Sequence, residues 1–518
     1  MIEEFVVYKR RRENFVFEKR GRPSDIKVGI LMPMPYNAAV SSLFFQMAYT
    51  YVNSLEGVRA YRYVFNLEEK KVEALDERLD PRKLDLILLS LPFELDYVTA
   101  AYILTNLNLL RRLKGNEKPI VVAGGIAPTA NPLPLSDIVD AVVIGEAEEI
   151  LKNMIYGAGE LNAFKVIEEI SCVSMLANSD IRRKCFVEDL NNAPHPIHQF
   201  YSYDEEPIYG YGVRVEVSRG CPYLCAFCME SHVMYPFRYR EFAILDRIIE
   251  KSIDVLKIPR VIFYSLSLFS VPNMDILLQK LLKQGIEISI PSMRVEHVTK
   301  ERLELIKALG QKTLTIAPET LLPTYSCKIG KCYNVDYLIE VLNYAYKTGY
   351  SHVKLYLITG FPGTTMDEEL KSFEKFSSSV KSIKKRGFVE VTLNPLIPKP
   401  WTPFQFLPPL SVLRSRHIEE HYRRIAKESG IGISALDVEW AFAQAIIALG
   451  DKNTSKLIID WALSGLGLKG FRKALKMADE RIRSYLKNGW QDPPWYRYVD
   501  IGVPKTYLDL RARYLKVL

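Results

Sequence analysis

The sequence predicts an α/β protein in three parts: an N-terminal doubly wound, Rossmann- or flavodoxin-like sheet, a central partial (βα)6 barrel, and a helical C-terminal extension. Three observations predict it. Over residues 25–151, short apolar segments alternate with segments of helical spacing, the pattern of a buried parallel sheet. A second run of the same alternation, six repeats long, begins at residue 212. From residue 409 onward the spacing is almost entirely helical.

Residues 1–24 read as a basic arm, with four cationic residues at 9–12. In the first domain, 25–155, the strand candidates are 27–32, 60–65, 84–91, 119–123 and 141–144, with helices at 41–53 and 97–113. Residues 156–209 have weak periodicity and read as a linker, with Asn191-Asn192-Ala193-Pro194-His195-Pro196 near its end. In 210–408 the strands are 212–217, 261–265, 287–291, 312–316, 352–358 and 388–393. Helices at 241–255, 274–283, 299–309, 335–346 and 367–382 separate them. Six repeats predict a barrel open on one side, with functional residues at the C-terminal ends of its strands. In 409–518, helices are expected at 411–428, 435–449, 454–463 and 471–487. Gly489, Pro493-Pro494 and Gly502-Val503-Pro504 break the end into loops, packed down by Trp490, Trp495 and Tyr498.

With 518 residues, 48% hydrophobic and 25% charged, the chain reads as a globular protein of two or three domains. No apolar run has the length of a signal or a membrane span. Seven cysteines, three of them in one short stretch, do not read as a disulfide framework, and a cytoplasmic protein is expected. Cys172 and Cys185 read as small buried hydrophobes. The net charge of +8 is uneven: residues 470–518 hold 11 Lys or Arg against five Asp or Glu. That segment is either a solvated helical surface or a docking face for an anionic partner, and no RNA-binding motif accompanies it.

The most specific stretch is 218–230, Ser-Arg-Gly-Cys-Pro-Tyr-Leu-Cys-Ala-Phe-Cys-Met-Glu. It places Cys221, Cys225 and Cys228 in C-x3-C-x2-C spacing. Three close thiolates suit three corners of a [4Fe–4S] cluster and leave the fourth iron open. Gly220 lets the backbone approach, while Tyr223 and Phe227 screen water. A structural zinc site would need a fourth ligand, and His232 alone offers one, at an unusual spacing.

This spacing resembles that of the radical S-adenosylmethionine (SAM) enzymes, and the resemblance runs from about residue 25 to the end. It implies that Cys221, Cys225 and Cys228 hold the catalytic cluster, and that the open iron chelates SAM. One electron, from a donor such as ferredoxin or flavodoxin, then cleaves SAM to a 5′-deoxyadenosyl radical. The same resemblance implies SAM contacts from Phe227, from Ser265 and Ser267 after the second strand, and from Arg294 toward the SAM carboxylate. It adds Glu319 toward the ribose, Lys354 and Tyr356 on one face of the fifth strand, and Gly360 and Pro362 of the Gly-x-Pro turn beside the adenine. Arg294, Glu319 and Lys354 read equally as an internal ion-pair network, in which Lys354 needs a carboxylate partner.

Two loops, Ala123-Gly124-Gly125 through Asn131-Pro132 and Gly145-Glu146-Ala147-Glu148, resemble the branch with an N-terminal cobalamin-binding-type domain. So do Ala317-Pro318-Glu319 and the rigid segment Pro398-Lys399-Pro400-Trp401-Thr402-Pro403-Phe404-Gln405. The resemblance implies cobalamin contacts from Gly124, Gly125, Asn131, Gly145 and Glu146; otherwise the loops are tight turns. The chain departs from the branch in lacking the D-x-H-x-x-G loop and the Gly-Ser usual after Ala-Pro-Glu. Cys327 and Cys332 read as a redox pair or as ligands of an auxiliary cluster.

The expected activity is radical modification of an unactivated C–H bond in a small molecule or lipid. Cobalamin-dependent methyl transfer, carbon–carbon bond formation on isoprenoid chains and RNA methylthiolation are its forms. A lipid substrate would place the enzyme peripherally at the membrane. The helical tail argues against methylthiolation. The non-enzymatic alternative is an iron–sulfur protein of electron transfer or assembly.

Overall fold

The computed structural model describes residues 5–17, 21–111, 117–176, 180–381 and 387–518. Expectations at 1–4, 18–20, 112–113 and 382 lie outside the described residues. The N-terminal sheet has eight strands: β1 Val6–Tyr8, β2 Ile26–Met32, β3 Val58–Asn66, β4 Lys71–Ala74, β5 Leu86–Ser90, β6 Ile120–Gly124, β7 Ala141–Val143 and β8 Val173–Ser174. They lie in the order β1-β4-β3-β2-β5-β6-β7-β8. The five central strands, β3-β2-β5-β6-β7, run parallel in the flavodoxin-like order 2-1-3-4-5. β4 and β8 are antiparallel to β3 and β7.

Both faces of this sheet are apolar, as burial on two sides requires. Val28, Ile30, Leu88 and Val122 face helices Leu43–Ser54 and Leu151–Gly159. The alternate residues Leu31, Ile87, Leu89 and Val121 share a core with helices Asp96–Asn106, Val438–Ala448 and Thr454–Ser464. The C-terminal helices therefore cover the second face of the first sheet. They are part of that domain's core and not an appendage to it.

Seven parallel strands form the central arc: β9 Val213–Glu216, β10 Arg260–Tyr264, β11 Glu287–Ser289, β12 Thr313–Glu319, β13 His352–Thr359, β14 Val389–Pro395 and β15 Gly432–Ala435. β9-β10-β11 and β12-β13-β14-β15 pair throughout, and a parallel bridge between Met293 and Ile316 joins the two sets. Six of these are the expected strands. The seventh, β15, lies where a loop and the head of a helix at 435–449 were expected; four half-buried residues beginning with Gly432 carry no strand pattern.

Other differences have local causes. The basic arm contributes β1, and its Lys9 and Arg11 pair with Glu73 of β4. The expected linker holds helix Ala163–Glu168 and β8. The helix expected over 471–487 is two, Leu468–Met477 and Glu480–Asn488, because Asp479 accepts the Ile482 amide and starts a new helix. Lys505–Tyr514 is a helix where loops were expected.

Candidate active site

Cys221 lies just beyond the end of β9. Gly220 before it has φ +73°, and a Cβ there would meet Met234 O at 2.6 Å, so only glycine fits. Cys221, Cys225 and Cys228 are the free cysteines among the described residues, and Cys221 and Cys225 are buried. Arg294 Nη1 donates to Cys225 Sγ at 3.3 Å, and Nη2 to Gly330 O at 2.7 Å and Glu296 at 2.8 Å. Its guanidinium lies 3.7 Å from the Tyr223 ring centre. The Ala226 amide donates to Ile329 O at 3.0 Å and the Cys225 thiol to Gly330 O at 3.5 Å, so residues 329–330 close over the cysteine loop. His232 turns Nδ1 onto Cys228 O at 2.8 Å, a backbone role. Three free thiols on one loop, one under a guanidinium, fit the three-cysteine corner of a [4Fe–4S] cluster. Burial pushes the Cys221 thiol up and that of Cys228 up to about 12, so metal loading releases protons.

The other four cysteines are paired, Cys172 with Cys185 and Cys327 with Cys332, with S–S distances of 2.07 and 2.04 Å. This corrects the reading of Cys172 and Cys185 as roleless hydrophobes. It also removes Cys327 and Cys332 from any metal ligand set while matching the paired alternative. The Cys185 backbone pairs with Ile144 and Glu146, which fixes the Gly145 loop.

At the barrel mouth a cleft of about 240 Å³ is lined by Phe227, Glu319, Tyr356, Asn394, Ile397 and Lys399. Phe227, Glu319 and Tyr356 thus line one cleft. Glu319, at φ +68°, lies 3.4 Å from Lys331 Nζ. Burial raises its carboxyl above the usual range against the pull of Lys331. Lys354, on the same face as Tyr356, stands in register with Glu390 but makes no ion pair among the described residues, contrary to the expected partner.

Other expected SAM contacts are engaged within the protein. Ser265 Oγ lies 2.7 Å from Ser218 Oγ and accepts the Ser267 amide, while Ser267 Oγ meets Ser270 Oγ at 2.8 Å. The Gly360 amide donates to Glu369 at 3.1 Å, and Pro362 O accepts from Tyr325 OH at 2.8 Å. Arg294 serves the cysteine loop rather than standing free for a carboxylate.

A second cavity, about 330 Å³ and mainly apolar, lies at the C-terminal ends of β5, β6 and β7. Gly124, Gly125, Gly145 and Glu146 line it, together with Ser90, His195, Glu216 and Arg219. This is beside the topological switch of the sheet, where such folds bind ligands. Glu146 is held by Arg219 at 2.8 Å and Arg238 at 2.7 Å. Burial works against this carboxylate, yet the two guanidinium groups keep it below the usual range. Arg219 also binds Glu148 at 2.6 Å and Glu216 at 2.7 Å. Asn131 does not line the cavity: it is buried, donating to Ala448 O and Gly450 O at 3.0 and 2.8 Å and accepting from the Leu133 amide. It clamps the C-terminal helices to the sheet.

Sequence reasoning gave Arg219 no role, although it sits inside the cysteine stretch. It also passed over His195, whose Nε2 accepts the Glu216 amide at 3.2 Å and which burial and then Arg240 lower to about 4. Lys399 binds Glu94 at 2.5 Å, with Gln444 at 2.9 Å on the other oxygen, a trio scattered over 350 residues that no local signal reveals.

Residues 215–376 match the family model of the radical SAM superfamily, and residues 45–174 match the model for the N-terminal region of radical SAM proteins. The chain belongs to the radical SAM superfamily. It is an enzyme of that class, with a [4Fe–4S] cluster and SAM as cofactors. Among its relatives are an uncharacterised protein of Methanocaldococcus jannaschii, 28% identical over 79% of this chain and 88% of the relative. An uncharacterised methyltransferase of Pyrococcus horikoshii is 27% identical over 51% of this chain and 59% of the relative. The fold is similar to the radical SAM methyltransferase TsrM of Kitasatospora setae, solved with cobalamin and a [4Fe–4S] cluster. That match has TM-score 0.54 and 13% identity, covering 88% of this chain and 100% of that one. The cobalamin-dependent radical SAM enzyme OxsB, solved with aqua-cobalamin and SAM, matches with TM-score 0.51 and 16% identity over 89% of this chain and 70% of that one. The fold of this chain is thus similar, over most of its length, to that of these two cobalamin-dependent enzymes.

Proposed function

We propose that this protein is a cobalamin-dependent radical SAM methyltransferase acting on an unactivated carbon. The observation that carries the reading is the placement of two sites on either side of Arg219. The cavity at the switch point lies on one side, and Cys221, two residues on, lies on the other. The four ion pairs joining Glu146, Glu148, Glu216, Arg219 and Arg238 fix the cavity wall to the cysteine loop.

The residues present fit cobalamin in part. Gly124 and Gly125 present backbone without side chains, Ser90 offers a hydroxyl, and the apolar lining suits a large flat ligand. Glu146 supports the wall through its arginines, and Asn131 supports it from behind. When bound, cobalamin supplies a methyl carrier, and the SAM-ligated cluster supplies a one-electron route to a 5′-deoxyadenosyl radical. Around them Phe227 and Tyr356 exclude water from the cleft, Glu319 offers hydrogen-bond acceptors for a ribose, and Lys399 with Glu94 closes the substrate side. Incubation of the anaerobically reconstituted enzyme with SAM bearing a trideuterated methyl group tests the reading on candidate extracts. Label in a carbon-bound methyl supports it. Label-free product, with 5′-deoxyadenosine formed, would sink it in favour of radical carbon–carbon bond formation.

A further inference from the structure

The last helix, Lys505–Tyr514, runs into Leu515, which shares an apolar cluster with Ala226 of the cysteine loop and with Ile329. Arg511 Nη2 donates to Lys328 O at 2.9 Å. The next two residues, Ile329 and Gly330, carry the carbonyls that receive the Ala226 amide and the Cys225 thiol. One short loop therefore separates this surface from a cluster cysteine. On the outer side stands Tyr514, 56% exposed, with Lys328 Nζ 5.9 Å and Arg511 Cζ 5.8 Å from its ring centre. Arg513 and Lys516 are exposed on the same stretch. Among the described residues Lys328, Arg513 and Lys516 have no ion-pair partner. An exposed aromatic rimmed by unpaired cations has the composition of a recognition surface, and its charge selects an acidic partner.

We infer that this surface docks a small acidic one-electron donor, a low-potential flavoprotein or iron–sulfur protein. Each reductive cleavage of SAM consumes one electron. The donor is oxidised by one electron, the cluster is reduced by one and returns it to the breaking C–S bond, and no proton is required in the transfer. A protein donor has to come close to the cluster cysteines, and here residues 328–330 lie between this surface and Cys225. Anionic lipid or RNA would answer the charge alone, whereas an electron donor also answers its position against the cysteine loop. The inference rests on the cluster and not on cobalamin, so it stands or falls separately from methyl transfer.

The test compares two reductants on the reconstituted full-length enzyme, reading 5′-deoxyadenosine. One is a recombinant acidic flavodoxin reduced to its hydroquinone; the other is dithionite. The Arg513→Glu/Lys516→Glu and Tyr514→Ala variants should each lose about tenfold or more of the flavodoxin-driven rate at low salt. Their dithionite-driven rates should stay within about twofold of wild type. A control, Lys473→Glu/Lys487→Glu on the other basic helices, should leave both rates unchanged. Flavodoxin-driven rates that match wild type would overturn the inference, as would equal loss in the control. Equal loss with both reductants in both variants would overturn it too. Sedimentation of wild type but not the double variant with phosphatidylglycerol vesicles, without any effect on the flavodoxin rate, would assign the surface to lipid instead.

Discussion

Arg294 meets the Cys225 thiol at 3.3 Å while stacking on Tyr223, so it places a fixed cation beside the cluster. Positive charge and an N–H at a ligand sulfur favour the reduced state. Arg294→Gln should lower the cluster's midpoint potential by on the order of tens of millivolts with iron content retained. An EPR-monitored redox titration measures this, and an unmoved potential would contradict the role. Glu369 gives a second residue-scale prediction. Burial lifts its carboxyl to about 7, against its hydrogen bonds from Thr364 and Gly360. A folded value raised above the unfolded one means stability present below about pH 4.5 and lost as pH rises through about 7. Glu369→Gln should abolish that loss, worth roughly 1–3 kcal/mol, in denaturant midpoints compared from pH 5 to 8. At this scale the cysteine spacing was legible because it is local. The engagement of Gly360, Pro362 and Asn131 was not, because sequence displays a donor without displaying its partner.

At the scale of elements, the joint between the two halves is Arg219. It binds Glu146 and Glu148 of one loop and Glu216 at the end of β9, and its side chain is 11% exposed. Arg219→Ala leaves the part-buried Glu148 without its cation, while Glu146 and Glu216 keep only Arg238 and Arg240. It should cost about 3–5 kcal/mol, read as a fall in the denaturation midpoint, and loosen cluster retention. Retention of wild-type stability would mean that water replaces the guanidinium without loss. The parallel order of the first sheet was legible because each strand is an uninterrupted apolar run. β15 was not, since its four half-buried residues look like loop, nor was the break at Asp479, since one capping carboxylate outweighs continuous helical spacing.

For the whole molecule, the C-terminal helices and the first sheet share one core across more than 400 residues of sequence. Periodicity foretold the helices but not where they dock, because an apolar face does not name its partner. Asn131 stitches this core by two buried bonds to Ala448 and Gly450, and Asn131→Ala should cost about 2–4 kcal/mol through unsatisfied carbonyls. Calorimetry should show the N-terminal and C-terminal parts unfolding together in wild type and earlier in the variant. Among the described residues no helix is long and apolar enough to cross a membrane. We propose a corrinoid site and a cluster site on either side of Arg219. The most direct measurement is the corrinoid and iron content of the enzyme after anaerobic reconstitution with iron, sulfide and hydroxocobalamin and removal of the excess. About one corrinoid with about four irons per chain is the expected result. Four irons with only traces of corrinoid would contradict it.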